Sequence, residues 1–279
     1  MKLQNILTET IYPCRINDEL KDLYMGQQNY SQVEVYNYDL ITGTEGRYSK
    51  SSYEELGASL GNYTLPKDNC ILTNPYLICV SERYVKAKIK MMLVSKETNF
   101  GWMGEISNGL FMSSNVAELL MKFYTLYSNS TKMQTGAGPW MLKKELEARF
   151  PNLGIVNNNF HLFGYLSERT GTNPHIENHY HEVLKSEIQI CQPDIVLFCT
   201  SKGYDKEFEG KFGKTDFTTV DDISYNVLAK VEFKDMSGLN GIEFYRTYHP
   251  LTLLRYRKNV PDVIKTRNYI NNIIDPNHN

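Results

Sequence analysis

Two stretches of this chain deliver reactive side chains at the end of an apolar run. The first, Ile89-Lys90-Met91-Met92-Leu93-Val94-Ser95-Lys96-Glu97-Thr98-Asn99-Phe100, stops abruptly at a polar turn that bears an acid. The second, Ile242-Glu243-Phe244-Tyr245-Arg246-Thr247-Tyr248-His249-Pro250-Leu251-Thr252-Leu253, presents a histidine followed by a proline-locked turn. Open α/β sheets keep their ligands at the ends of buried strands. A carboxylate and an imidazole delivered to such a place can supply an anion or general base on one side and a hydrogen-bond or proton donor on the other. Glu97 and His249 are therefore the leading pair. The plainer alternatives are a turn cap for Glu97 and a satisfied buried imidazole for His249.

The elements that must position them follow from pattern. A first strand over about residues 88 to 95 leads to a helix near Ser114 to Tyr127, whose Val116, Leu119, Leu120, Phe123 and Tyr127 recur at helical spacing. Gly136-Ala137-Gly138-Pro139 makes a turn, and Pro139 opens a helix running to Phe150. No Lys-Ser/Thr follows the glycines, so this is not a phosphate loop. Gly154-Ile155-Val156-Asn157-Asn158-Asn159-Phe160 reads as a second strand with a polar end. Three asparagines in a row are costly on a buried strand unless they find partners, and a turn is the competing assignment. A helix around His179 to Cys191, a third strand over 194 to 200, an irregular excursion with short strands over 206 to 240, a fourth strand over 242 to 248 and a helix over 260 to 274 complete the series. Strands alternating with helices predict an α/β fold: a three-layer αβα domain over 86–279 with a central, mainly parallel four-stranded sheet. Residues 1–85, rich in tyrosine and turn formers, read as an N-terminal extension packed on that domain.

Composition narrows the function classes. With 279 residues, 41% of them hydrophobic, the chain can bury a large core. The first residues, Met1-Lys2-Leu3-Gln4-Asn5-Ile6, lack the apolar region of a secretory signal, and no apolar run spans a membrane, so the expectation is a soluble, cytoplasmic monomer with no membrane partner. Five cysteines, widely spaced and without a CxxC, read as free thiols. A net charge of -2 excludes a globally basic nucleic-acid binder. Any DNA contact must be local, and the cluster Arg246, Arg255, Arg257 and Lys258, interleaved with Tyr245, Tyr248 and Tyr256, is the candidate.

Four strand ends carrying, in order, an acidic turn, an asparagine, a Gly/Tyr turn and a His-Pro turn resemble the uracil-DNA glycosylase superfamily over about residues 86 to 260. Its last motif, His-Pro-Ser-Pro-Leu, is matched by His249-Pro250-Leu251-Thr252-Leu253. Its first motif, Gly-Gln-Asp-Pro-Tyr in one branch, gives way here to Ser95-Lys96-Glu97-Thr98-Asn99. The resemblance implies that Glu97 orients the attacking water and His249 donates to the departing base. It implies that Asn157 or Asn159 reads the base edge, Phe100 (or Trp102) stacks on the base, and Leu253 is the wedge. Arg255, Arg257 and Lys258 would grip flanking phosphates. No cofactor and no metal are called for. Asn99, standing where that branch closes its pocket with tyrosine, leaves room for a five-substituted pyrimidine such as a modified base of phage DNA, in preference to plain uracil.

Such a glycosylase must rotate the nucleotide out of the stack, and it needs negative charge beside the sugar and a donor beside the base. Two other functions compete. One is a metal-dependent hydrolase built on His175 and His179, which share a helix face in His175-Ile176-Glu177-Asn178-His179-Tyr180-His181. The other is a non-catalytic nucleotide- or DNA-binding module on the same fold.

Overall fold

The computed structural model describes residues 8–26, 76–96, 116–129, 138–161, 174–234, 238–256 and 258–276. In chain order its elements are α1 (Arg15–Gly26), α2 (Glu82–Lys86), β1 (Ile89–Ser95), α3 (Val116–Asn129), α4 (Gly138–Arg149), β2 (Leu153–Asn159), α5 (Pro174–Cys191), β3 (Ile195–Phe198), a 3-10 turn at Lys202–Tyr204, α6 (Asp205–Phe212), β4 (Thr215–Thr219), β5 (Leu228–Phe233), β6 (Glu243–Thr247), α7 (Pro250–Arg255) and α8 (Pro261–Ile274).

The strands form one sheet in the order β2-β1-β3-β6-β5-β4. β2, β1, β3 and β6 run parallel, and β5 and β4 continue the sheet in antiparallel fashion. The expected four-stranded sheet is thus the parallel part of a mixed sheet of six. The excursion over 206 to 240 supplies the two additional strands.

β1 and β3 are almost wholly apolar because helices bury them on both faces. Met92, Val94, Val156, Val196, Phe198 and Phe244 meet side chains of α1, α3, α5 and α6. Met91, Leu93, Leu153, Ile155, Ile195, Leu197 and Tyr245 meet α4, α7 and α8. Residues before position 86 enter the first of these cores directly: Leu20, Tyr24 and Leu77 to Val80 are buried in it. Asn17 ties them together, donating to Val80 O at 2.9 Å and accepting from Val80 N at 2.7 Å.

β2 lies at the sheet edge, where its outward N–H and C=O groups would otherwise lack partners. Arg83 donates to Leu153 O at 2.8 Å, Glu147 accepts from Ile155 N at 2.9 Å, and Lys143 donates to Ile155 O. Tyr124 Oη then donates to Asn157 O at 2.9 Å and accepts from Asn157 N at 3.0 Å.

Candidate active site

Strand order reverses between β1 and β3, because β1 leads to β2 on one side and the chain then crosses to β3 on the other. The crevice outside the carboxyl ends of these strands is where an open α/β sheet binds its ligand. Ser95 and Lys96, Asn157 to His161, Cys199 to Ser201, and Thr247 to His249 stand at those ends. Glu97, Asn99, Phe100, Trp102 and Arg257 lie outside the described residues.

The three asparagines belong to a buried strand, not a turn. Each meets a different fate. Asn158 faces the α5 side, where its Nδ2 donates to Glu187 Oε2 at 2.8 Å while Tyr24 Oη donates to the other carboxylate oxygen at 2.6 Å. Burial pushes the Glu187 carboxyl up to about 7, against the pull of those two hydrogen bonds and of Lys211. Asn159 packs at 8% exposure and makes contacts of its own. Asn157 is 1% exposed, and neither its Oδ1 nor its Nδ2 makes a hydrogen bond. Leaving such groups unsatisfied in the interior costs about 1–3 kcal/mol. Of the two asparagines between which the sequence could not choose, Asn157 is the one with donor and acceptor capacity unspent.

His249 sits at the N-cap of α7, with Pro250 at the first helical position. Its Nδ1 accepts from Leu251 N at 3.2 Å. A ring that accepts at Nδ1 carries its proton on Nε2, so the other edge of the neutral imidazole is a donor. The capping alternative is thus what the ring does at Nδ1. The first residue of α4 fixes its position: a Cβ on Gly138 would come within 2.8 Å of Leu251 Cγ, 2.9 Å of Leu251 N and 3.3 Å of His249 Cε1. His249 accordingly stands on the α4 side of the sheet. Strand alternation puts Asn157 on that same side, in line with Ile155 and Leu153.

Two side-chain pairings that the sequence could not reveal lie at these ends. His161, just past β2 and 2% exposed, pairs through Nε2 with Glu207 of α6 at 2.9 Å, and Lys96 Nζ lies 5.1 Å from the Tyr204 ring centroid beside it. Arg246, fully buried, pairs through Nε with Asp205 Oδ1 at 3.0 Å, and its guanidinium lies 5.0 Å from the Tyr225 ring. His161 and Glu207 are far apart in the chain, as are Asp205 and Arg246, so only tertiary contact reveals either pair. Between them Ser201 holds φ 67° and ψ 166°, a region that belongs almost entirely to glycine.

Several expected roles change place. Leu253 is fully buried beside Leu142, Leu146, Val263 and Ile270, so it is a core residue of α7 and not a wedge. The cause is the short helix after Pro250, whose turn carries the fourth residue inward. Arg246, spent on Asp205, leaves the basic cluster. Arg255 and Lys258 are exposed, with Tyr256 half exposed between them.

α5 is one continuous helix through His175, His179 and His181, but their side chains lie outside the described residues. Among the described residues no group of three His, Cys, Asp or Glu side chains could hold a metal ion, and no helix is long and apolar enough to cross a membrane. Cys14, Cys79, Cys191 and Cys199 are free thiols, and Trp140 packs against Tyr124 and Tyr127. Comparison with models of known protein families gives no match, and comparison with curated proteins gives none either.

Proposed function

We propose that this chain is a monofunctional DNA glycosylase that hydrolyses the N-glycosidic bond of an extruded pyrimidine carrying a five-substituent. One observation carries the reading: the buried, unpartnered carboxamide of Asn157 beside the switch point, on the sheet face that bears the His249 turn. A carboxamide offers one donor and one acceptor group, which suits the paired polar edge of a pyrimidine. His249, with Nδ1 engaged, offers Nε2–H to the base oxygen on which negative charge collects as the bond breaks. Glu97, which follows β1 in the sequence, supplies the anion that orients water and balances the cationic sugar. Arg255 and Lys258 grip phosphates, and the half-exposed Tyr256 between them takes the wedge position that the buried Leu253 cannot.

The test is abasic-site formation in duplexes that contain uracil or bulky five-substituted pyrimidines. The expected result is release of the substituted base by the natural chain. Release by Glu97→Gln should fall below detection with DNA binding retained, and release by His249→Asn should fall about 10²–10³-fold, because asparagine preserves the helix cap but not the donor. Fast and exclusive cleavage of uracil would overturn the substrate assignment. An inert natural chain that binds DNA normally would make the protein a binding module.

A further inference from the structure

The two borders of the sheet are finished differently. Along β2, side chains of Arg83, Lys143, Glu147 and Tyr124 occupy the outward peptide groups. β4 forms the other border. Lys234 N donates to Lys214 O at 3.0 Å, which makes Lys214 and Lys234 a hydrogen-bonded pair just beyond the strand. Such pairs alternate along an antiparallel ladder, so Asp216 and Thr218 turn their peptide groups to β5, whereas Thr215, Phe217 and Thr219 turn theirs away from the sheet. Among the described residues nothing hydrogen-bonds to those outward groups. An uncovered strand of this kind can accept another strand. Phe217 in the middle of it is only half-buried, packed on one side against Phe208 and Arg246, and Thr218 and Thr219 are exposed.

We infer that β4 pairs with β4 of a second copy of this chain, antiparallel about a two-fold axis at Phe217, so that the two sheets join into one. The inference goes beyond the proposed activity and does not depend on it. Charge selects both the occupant and the register. On one face of the sheet Thr218 lies opposite Lys230 of β5, and Asp216 lies opposite Glu232. With Phe217 opposite its own counterpart, Asp216 comes opposite Thr218 of the second copy. Each row across the seam then runs Lys230, Thr218 in one chain and Asp216, Glu232 in the other, so a cation faces two carboxylates. Moving the axis one residue, to Asp216, would line up Glu232 and Asp216 of both chains, and four carboxylates in a row repel. In the Phe217 register Thr215, Phe217 and Thr219 of one copy exchange hydrogen bonds with Thr219, Phe217 and Thr215 of the other. Just past the strand ends, the exposed Lys214 of one chain approaches the exposed Asp221 of the other. Because the border at β2 is already occupied, the pair closes at two copies. A dimer thus stands in place of the monomer expected from the sequence.

Sedimentation equilibrium of the full chain over a range of concentrations tests this, for the natural chain, Thr219→Pro, Thr218→Lys and Thr218→Glu. The natural chain should form dimers and nothing larger. Thr219→Pro removes a donor that points outward and no bond of the β4–β5 ladder, so the dimer should weaken about 10-fold or more while far-UV circular dichroism stays unchanged. Thr218→Lys sets a cation opposite Asp216 of the second copy and should tighten the dimer about 5-fold at low salt. Thr218→Glu should weaken it by about as much, and both effects should shrink as salt is added. Position 218 is exposed, so these two variants decide the question even if the proline variant does not fold. A monomer at every concentration overturns the inference and leaves the edge to a strand of a different protein. A dimer indifferent to these substitutions, or association beyond two copies, overturns it as well.

Discussion

Asn157 separates function from stability most sharply. Its carboxamide is buried without a partner, so Asn157→Leu, which keeps the shape and removes the polar atoms, should raise the unfolding free energy by about 1–2 kcal/mol while abolishing base release. Urea denaturation beside an abasic-site assay measures both, and a destabilised variant would mean that the amide is satisfied in the native protein. Choosing Asn157 over Asn159 was beyond the sequence for a simple reason: residues two apart on a strand share a face, and only partners distinguish them. The cap formed by His249 was legible because a histidine ahead of a proline at a strand end is placed to accept from the first turn of the following helix. Leu253 was misread because motif spacing says nothing of the helical turn that points it inward. Glu187 and His161 announced nothing in the sequence, and Arg246 stood out there only as one of a basic cluster, since each is defined by a residue brought to it by the fold.

Among the elements, α6 and β6 are pinned together by Asp205, which receives the Arg246 guanidinium and, through Oδ2, the Tyr225 hydroxyl at 2.9 Å. Removing one partner of a buried pair strands the other. Asp205→Ala should therefore cost about 3–5 kcal/mol, and Arg246→Met in that background should recover part of the loss, as a double-mutant cycle by chemical denaturation would register. Independent losses that simply add would show that the pair is uncoupled. β1 and β3 could be read from their apolar runs because both faces of each are covered. β4 and β5 could be anticipated only as short strands in an irregular excursion. Thr215–Thr219 is half exposed and rich in threonine, so it lacks the unbroken apolar run that identifies a central strand. That is why four strands were expected and six are found.

Across the whole molecule, the Glu187 carboxyl links α1, through Tyr24, to β2, through Asn158, and its burial raises its pKa from the usual carboxylate value to about 7. A raised acid binds its proton more tightly in the folded state, so the stabilisation is complete below the unfolded pKa and is lost as pH climbs to about 7. The loss approaches about 3 kcal/mol and levels off above that pH. Glu187→Gln should flatten this decline when urea midpoints are compared from pH 5 to pH 8, and parallel profiles for the two proteins would refute the assignment. The early segment shares in this network, a connection invisible in a stretch with no periodic pattern of its own. The covered flank of β2 has a consequence for how molecules meet. With Arg83, Lys143, Glu147 and Tyr124 occupying its outward peptide groups, that border offers no template on which a neighbouring chain could zip. Slippage of the strand by one position would break those ties and turn the Asn157 amide to the opposite face of the sheet, so the same side chains that discourage fibrous association also hold that amide on the α4 face.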